Sequence, residues 1–240
     1  MIGSILPPEV VAEEAFEDRP DVTLFAAEEA VIARAVGKRR REFATGRACA
    51  RAALARLGLP PVPIVPGPSG APQWPDGVVG SITHCAGYRA CAVARDGDVV
   101  TIGLDAEPHD RLPDRVLGAV SSAAERAGLD ALPDSGTCWD RILFCAKETV
   151  YKAWFPLTGR WLGFEDAHVD IDPAGGGTGT FAARLLVDGP DVNGAPLTRF
   201  EGRWLVSDGL ITTTIVVPRR RPGAAAPGSP ISREKIKIKY

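Results

Sequence analysis

"VVGSITHCAGYRACAVARDGDVVTIGLDAEP", residues 78–108, is where the apolar pattern of the chain switches to a period of two. Within it "VVGSITH" (78–84), "RACAVAR" (89–95) and "DVVTIGLD" (98–105) predict three β-strands. Asp96 and Gly97 form the Asp-Gly pair of a tight turn, which predicts that the second and third strands pair as a hairpin. The text upstream has another character. From Ala26 to Leu57 it is rich in Ala, Glu and Arg, with possible breaks at Gly37 and Gly46, so two helices or one interrupted helix are expected. Between helix and strands runs "LPPVPIVPGPSGAPQWPDG", residues 59–77, whose prolines exclude a regular element.

The second half follows the same order loosely. Asp114 to Gly128 and Cys138 to Leu157 read as helical, and "AHVDID", "TFAARLLV", "RFEGRWLVSD" and "LITTTIVV" as strands. Helix followed by antiparallel strand, twice over, predicts an α+β fold of two pseudo-symmetric halves with a cleft between them. The expected boundaries are residues 1–112, 113–218 and a mobile tail at 219–240, since "RRRPGAAAPGSPISREKIKIKY" has lost apolar periodicity almost to its end.

Bulk composition narrows the function classes. A chain of 240 residues with 45% hydrophobic and 24% charged residues has the balance of a folded globular protein. A net charge of -2 argues against a broad polyanion-binding face, so no nucleic-acid partner is expected. Five cysteines without a C-x-x-C pair read as reduced thiols in a cytoplasmic protein. The opening "MIGSILPPEVVAEEAFED" lacks a basic start and is halted by Pro7 and Pro8, so neither a signal peptide nor a membrane span is expected.

Chemistry concentrates in four places. "FCAKETVYKAW", residues 144–154, sits in a helix whose apolar stripe is Trp139, Ile142, Leu143, Ala146, Val150, Ala153 and Trp154. At about 100° per residue, Glu148 falls opposite Leu143 and Ala146, with Lys152 close by, so the pair points away from that stripe. It is either a solvated i, i+4 ion pair or part of a site. In "TIGLDAEP" the strand period puts Asp105 and Glu107 on one face, where two carboxylates could hold a hard cation such as Mg2+. Thr83 and His84 end a strand, where a histidine can donate to a phosphate or serve a structural hydrogen bond. The segment at 37–58 carries Lys38, Arg39, Arg40, Arg41, Arg47, Arg51 and Arg56. Cationic clamps, a metal and a proton acceptor suit phosphoryl chemistry. "GGGTG" at 175–179 lacks the P-loop lysine and is followed by strand text, so the donor is not held in a common nucleotide cradle.

The order of "KRRREFATGRACARAAL", "GAPQWP", "VVGSITHCAGYRACAV", "IGLDAEP" and "FCAKETVYKAW" resembles the 4'-phosphopantetheinyl transferases, in the subgroup similar to the enterobactin-synthesis enzyme and its actinobacterial relatives. The resemblance covers about residues 37–161. It implies transfer of the phosphopantetheine arm of coenzyme A to a serine of an apo acyl or peptidyl carrier protein, leaving adenosine 3',5'-bisphosphate, in a monomeric enzyme. It also implies roles: Arg39, Arg47, Thr83 and His84 on coenzyme A phosphates; Asp105, Glu107 and Glu148 on Mg2+; Lys147 and Lys152 on the departing bisphosphate. Glu148 or a metal-bound hydroxide would take the serine proton. Residues 66–69 lack the basic residues that relatives often carry there, and the segment from Ser121 to Leu132 is a plausible carrier contact. Two further readings stay open: another Mg2+-dependent enzyme acting on a nucleotide diphosphate, and a non-catalytic protein that binds coenzyme A or a nucleotide.

Overall fold

The computed structural model describes residues 1–220; most of the expected tail, from residue 221 on, lies outside the described residues. Among the described residues there are five α-helices, α1 (Ala26–Val31), α2 (Gly37–Arg56), α3 (Asp114–Val120), α4 (Ala123–Asp130) and α5 (Trp139–Thr158). The strands are β1 (Val11–Ala15), β2 (Val78–Cys85), β3 (Tyr88–Arg95), β4 (Val99–Pro108), β5 (Ala167–Gly175), β6 (Thr178–Leu185), β7 (Asp191–Val192), β8 (Ala195–Pro196), β9 (Arg199–Ser207) and β10 (Leu210–Pro218). They form a three-stranded sheet in the order β1-β3-β2, a five-stranded sheet in the order β4-β10-β9-β6-β5, and the small β7-β8 ribbon. Helix with antiparallel sheet makes the fold α+β, as the alternation of periods predicted.

One expected pairing is wrong. β4 does not form a hairpin with β3; it pairs along its whole length with β10, with Asp105 opposite Thr213. The physical reason lies in the turn. A tight type I′ hairpin needs positive φ at both central residues, and neither Asp96 nor Gly97 has one. Asp96 instead donates its N–H to Gly77 O at 3.0 Å, which ties the turn to the approach of β2 and frees β4 to leave the sheet. β3 finds its other neighbour in β1, a strand that sequence reading missed because it is only five residues long and carries Glu13 and Glu14 within it. Gly46 does not break α2 either. A Cβ there would lie 3.5 Å from Ile82 Cγ2, so the glycine marks where helix and sheet run close together.

α2 covers the small sheet through Ala50, Ala53 and Leu54, which pack with Cys91 and Val93. α5 covers the large sheet: Ile142, Ala146, Val150 and Trp154 meet Phe181, Trp204, Ile211 and Ile215. The seating of α5 on β4 is set by Gly103, where an added Cβ would come within 2.2 Å of Thr149 O. Two hydroxyl contacts hold the register. Thr101 Oγ1 donates to Ala153 O at 2.9 Å, and Thr149 Oγ1 lies 2.6 Å from Thr213 Oγ1 of β10. α5 ends at Gly159, whose φ of 63° is the left-handed cap that glycine adopts without strain. All five cysteines are free, and no helix of the described residues is long and apolar enough to cross a membrane.

Candidate active site

Because 101, 103, 105 and 107 alternate onto one face of β4, the close approach at Gly103 brings α5 over Asp105 and Glu107. Lys152 reaches down one turn from the contact at Thr149 and places Nζ 2.6 Å from Asp105 Oδ1. Thr83 Oγ1 donates to the same oxygen at 3.1 Å and accepts from the Ala106 N–H at 3.1 Å. That hydroxyl bridges the two sheets. Asp105 is 5% exposed, and its other oxygen, Oδ2, is buried without a hydrogen-bond partner. A buried carboxylate oxygen in that state has an unmet need for a cation or a donor.

The carboxylates feel one another. Burial pushes the Glu148 carboxyl up from its ordinary value, and Asp105 adds to the rise while Lys152 opposes it. Burial and then Asp105 likewise raise Glu107, against Arg141 and Lys152. Arg141 Nη1 sits 3.1 Å from Glu107 Oε2, anchored by bonds to Asp110 O and Arg111 O. For Lys152, burial pulls downward, but the charge and hydrogen bond of Asp105, with Cys145 and Glu148 adding, raise it above its ordinary value. Among the described residues, no three His, Cys, Asp or Glu side chains already converge as a metal cage. The donor set still fits a magnesium ion, which needs few protein oxygens: one orphaned carboxylate oxygen and two carboxyls that repel it.

Beside this cluster opens a cleft of about 1060 Å³, lined by Arg39, Arg47, His84, Glu148, Lys152 and the loop at 66–74. Arg47 is only 7% exposed; its guanidinium lies 3.9 Å from the Phe43 ring centroid, and Nε donates to Ile64 O at 2.8 Å. Burial pulls it down to about 10, with Glu28 opposing, so it stays a cation at neutral pH. Arg39 Nη1 is 2.6 Å from His84 Nε2. Since the guanidinium can only donate, Nε2 is the unprotonated nitrogen and the imidazole is neutral. Burial, then Arg39, depress His84, while Glu42 pulls the other way.

Two of the implied residues lie apart from the large cleft. Thr83 does not share the phosphate side with His84: neighbours on a strand face opposite ways, and its hydroxyl is committed to Asp105 and Ala106. Lys147 is not in the large cleft. Its side chain is 3% exposed, ion-paired to Glu125 at 2.9 Å, and donates to Phe164 O and Ala167 O. With three acceptors met, its ammonium bolts α5 to α4 and to the start of β5. Arg39, Arg47, His84, Glu148 and Lys152 line one cleft, Asp105 touches Lys152, and Glu107 lies close enough to Asp105 to feel its charge. Sequence reading missed Glu28, Glu42, Arg141 and Gly103; Arg141 follows the Trp139-Asp140 start of the helix and carries no local signal of its partner 34 residues away. A second cavity of about 230 Å³, lined by Lys147, Tyr151, Trp161, Leu162 and Phe164, shares Glu148 with the first. His109 accepts from the Cys138 N–H and lies apart from both.

An α+β fold whose cationic cleft ends at buried carboxylates suits group transfer from an anionic donor. Comparison with known families makes it specific. Residues 27–94 match the 4'-phosphopantetheinyl transferase N-terminal domain and residues 101–190 the 4'-phosphopantetheinyl transferase superfamily, and the chain belongs to that superfamily. It is 52% identical over 222 residues to the 4'-phosphopantetheinyl transferase PptT of Mycobacterium tuberculosis, covering 90% of this chain and 98% of that protein. It is 56% identical over 224 residues to Svp of Streptomyces mobaraensis, covering 90% and 89%. Npt of Nocardia iowensis is 53% identical over 220 residues, covering 90% and 99%. The protein is therefore a transferase that moves phosphopantetheine from coenzyme A to carrier proteins, and the other two readings of the sequence give way.

Proposed function

We propose that the large cleft binds the nucleotide end of coenzyme A and the smaller cavity its pantetheine arm, with the diphosphate between them at Glu148. The observation that carries this is that Glu148 lines both cavities while Lys152 and Asp105 lie one helical turn and 2.6 Å further on. The scissile bond of the donor lies between its two ends, so the reacting groups belong at that junction. Arg39, Arg47 and His84 hold the anionic nucleotide end, with Arg47 fixed in place by Phe43 and Ile64. The loop at 66–69 offers no cation, so backbone and these side chains carry that end alone.

Asp105, Glu107 and Glu148 would hold Mg2+, which neutralises diphosphate charge when bound. Glu148 accepts the proton of the carrier serine as its oxygen attacks the β-phosphorus; the bond from phosphorus to the oxygen of the bisphosphate breaks. Burial and Asp105 raise the Glu148 carboxyl in the metal-free protein, and as a base facing Mg2+ it would keep that proton affinity only through a loose or water-bridged contact. The Lys152 ammonium meets the negative charge growing on the departing oxygen. The same reading includes a division at residues 1–112 and 113–218, with β4 bridging the cleft, and a monomeric cytoplasmic enzyme. The carrier approaches past the segment from Ser121 to Leu132, whose Ala124 and Ala127 are exposed.

The test is intact-mass measurement of an apo carrier protein incubated with the enzyme, coenzyme A and Mg2+, beside samples with EDTA and with Glu148→Gln. A gain of one phosphopantetheine that disappears in both controls supports the assignment. A gain that survives Glu148→Gln at the full rate removes Glu148 as the base.

A further inference from the structure

Glu28 belongs to no role discussed so far, yet it is 0% exposed, the most deeply buried carboxylate among the described residues. It sits in the short helix α1, 23 residues from Arg51 and 36 from Ile64. Both of its oxygens are in use. Oε1 accepts from the Ile64 N–H at 2.9 Å and from Arg51 at 3.1 Å; Oε2 accepts from Arg51 at 2.9 Å and from the Phe25 N–H at 3.0 Å.

Ile64 is the useful partner. Its N–H is held by Glu28, while its carbonyl on the other side of the residue accepts from Arg47 Nε at 2.8 Å. The next residue, Val65, accepts from the Gln73 N–H at 2.9 Å, and Pro66 bridges to Pro72, which closes the loop that walls the cleft. That segment lies between prolines and pairs only with itself, residues 65–67 against 71–73, so Ile64 is where its first limb is tied to the helices. Without Glu28, one buried backbone donor and one carbonyl that aims a cation would both be free to shift.

We propose that Glu28 is a positioning residue for donor binding: through Ile64 it fixes both the Arg47 guanidinium and the first limb of the 65–73 loop against the nucleotide end of coenzyme A. It touches no substrate. Because the loop contributes no basic side chain, the aim of Arg47 bears on affinity more than it would with redundant cations. The inference rests on the assignment of Arg47 to the coenzyme A cleft.

The experiment compares Glu28→Ala, Glu28→Gln and Arg47→Ala in the full chain. Loss of a charge-assisted contact predicts, for Glu28→Ala, a rise of about tenfold in KM for coenzyme A and in the inhibition constant of adenosine 3',5'-bisphosphate. The kcat stays within about twofold, which also reports that the fold is intact. Glu28→Gln, which can still accept from Ile64, recovers part of the loss. A merely structural Glu28 would lower the yield of active enzyme and leave KM unmoved, and that result overturns the proposal. If Arg47→Ala raises KM and Glu28→Ala does not, only the positioning role fails. If neither does, the Arg47 assignment fails first. Should Glu28→Ala not fold, hydrogen exchange on the wild-type chain decides: adenosine 3',5'-bisphosphate must slow exchange of the Ile64 amide, and an unchanged rate rejects the coupling.

Discussion

Replacing Gly103 by alanine should separate the two sides of the active site without touching any side chain in it. A Cβ at that position lies 2.2 Å from Thr149 O and 3.1 Å from the Ala153 N, whereas ordinary contact begins near 3.4 Å. Both obstacles are α5 backbone, so no rotamer change relieves them; the helix must retreat from β4 by about 1 Å. Overpacking of that kind costs about 1–3 kcal/mol, or roughly 3–10 °C in Tm for a chain of this size. The catalytic consequence is larger. Lys152 and Glu148 ride on α5, Asp105 on β4, and the 2.6 Å contact between Lys152 and Asp105 opens with the same displacement. A misplacement of about 1 Å can lower turnover by about a hundredfold. Differential scanning calorimetry and a carrier-loading assay on the folded fraction read the two effects separately. Gly118→Ala supplies the opposite sign: it lies in α3 with nothing within 4 Å of its Cβ, so it should stabilise by about 0.5–1 kcal/mol and leave the rate alone. A Gly103→Ala enzyme with wild-type Tm and rate would refute the claim that this glycine sets the active-site gap.

Lys152→Gln should reduce kcat by about 10²–10³ with a smaller effect on KM, since its charge matters most as the leaving oxygen develops; rapid-quench kinetics checks this. Burial and Asp105 raise Glu148 in the metal-free protein, so the acid limb of kcat/KM should move to lower pH as Mg2+ is added, and it should weaken in a Glu148→Gln enzyme with residual activity, where Glu107 remains raised. His84 gives a stability signature. Its value is depressed below 6.5 by burial and Arg39, so its contribution is present above 6.5 and lost as pH falls through the depressed value. Urea unfolding between those limits should show a flatter pH slope for His84→Asn than for the wild type. Lys147→Met should cost about 3–5 kcal/mol by leaving Glu125 buried and unpaired, while folded enzyme keeps its kcat; a selective loss of rate at normal stability would return Lys147 to the chemistry.

The alternation in 78–108 was enough to place β2, β3 and β4, and the stripe from Ile142 to Trp154 enough to place α5, because both depend on which side of a local element is wet. The same locality accounts for the errors. The partner of β4 was not legible: Asp-Gly supports a tight turn, and the choice of β10 over β3 was made by strands more than a hundred residues downstream. The helical wheel put Lys147 and Thr149 outside the stripe, yet both are buried, because α4, β4 and β10 close around sides of the helix that its own sequence leaves polar. Candidate residues could therefore be named from motif and charge, but their employment could not. Thr83 and His84 are neighbours in the chain and serve opposite faces of a strand; Lys147 and Lys152 share a helix, one a buried bolt and the other paired with Asp105 at the cleft. Sequence alone determined the longer elements, β1 and the β7-β8 ribbon apart, and the inventory of charges, since propensity and periodicity act over a few residues. Only the tertiary structure decided which charges meet, because an ion pair between residues 47 apart depends on how closely a helix can approach a sheet, and here that distance is set at Gly103.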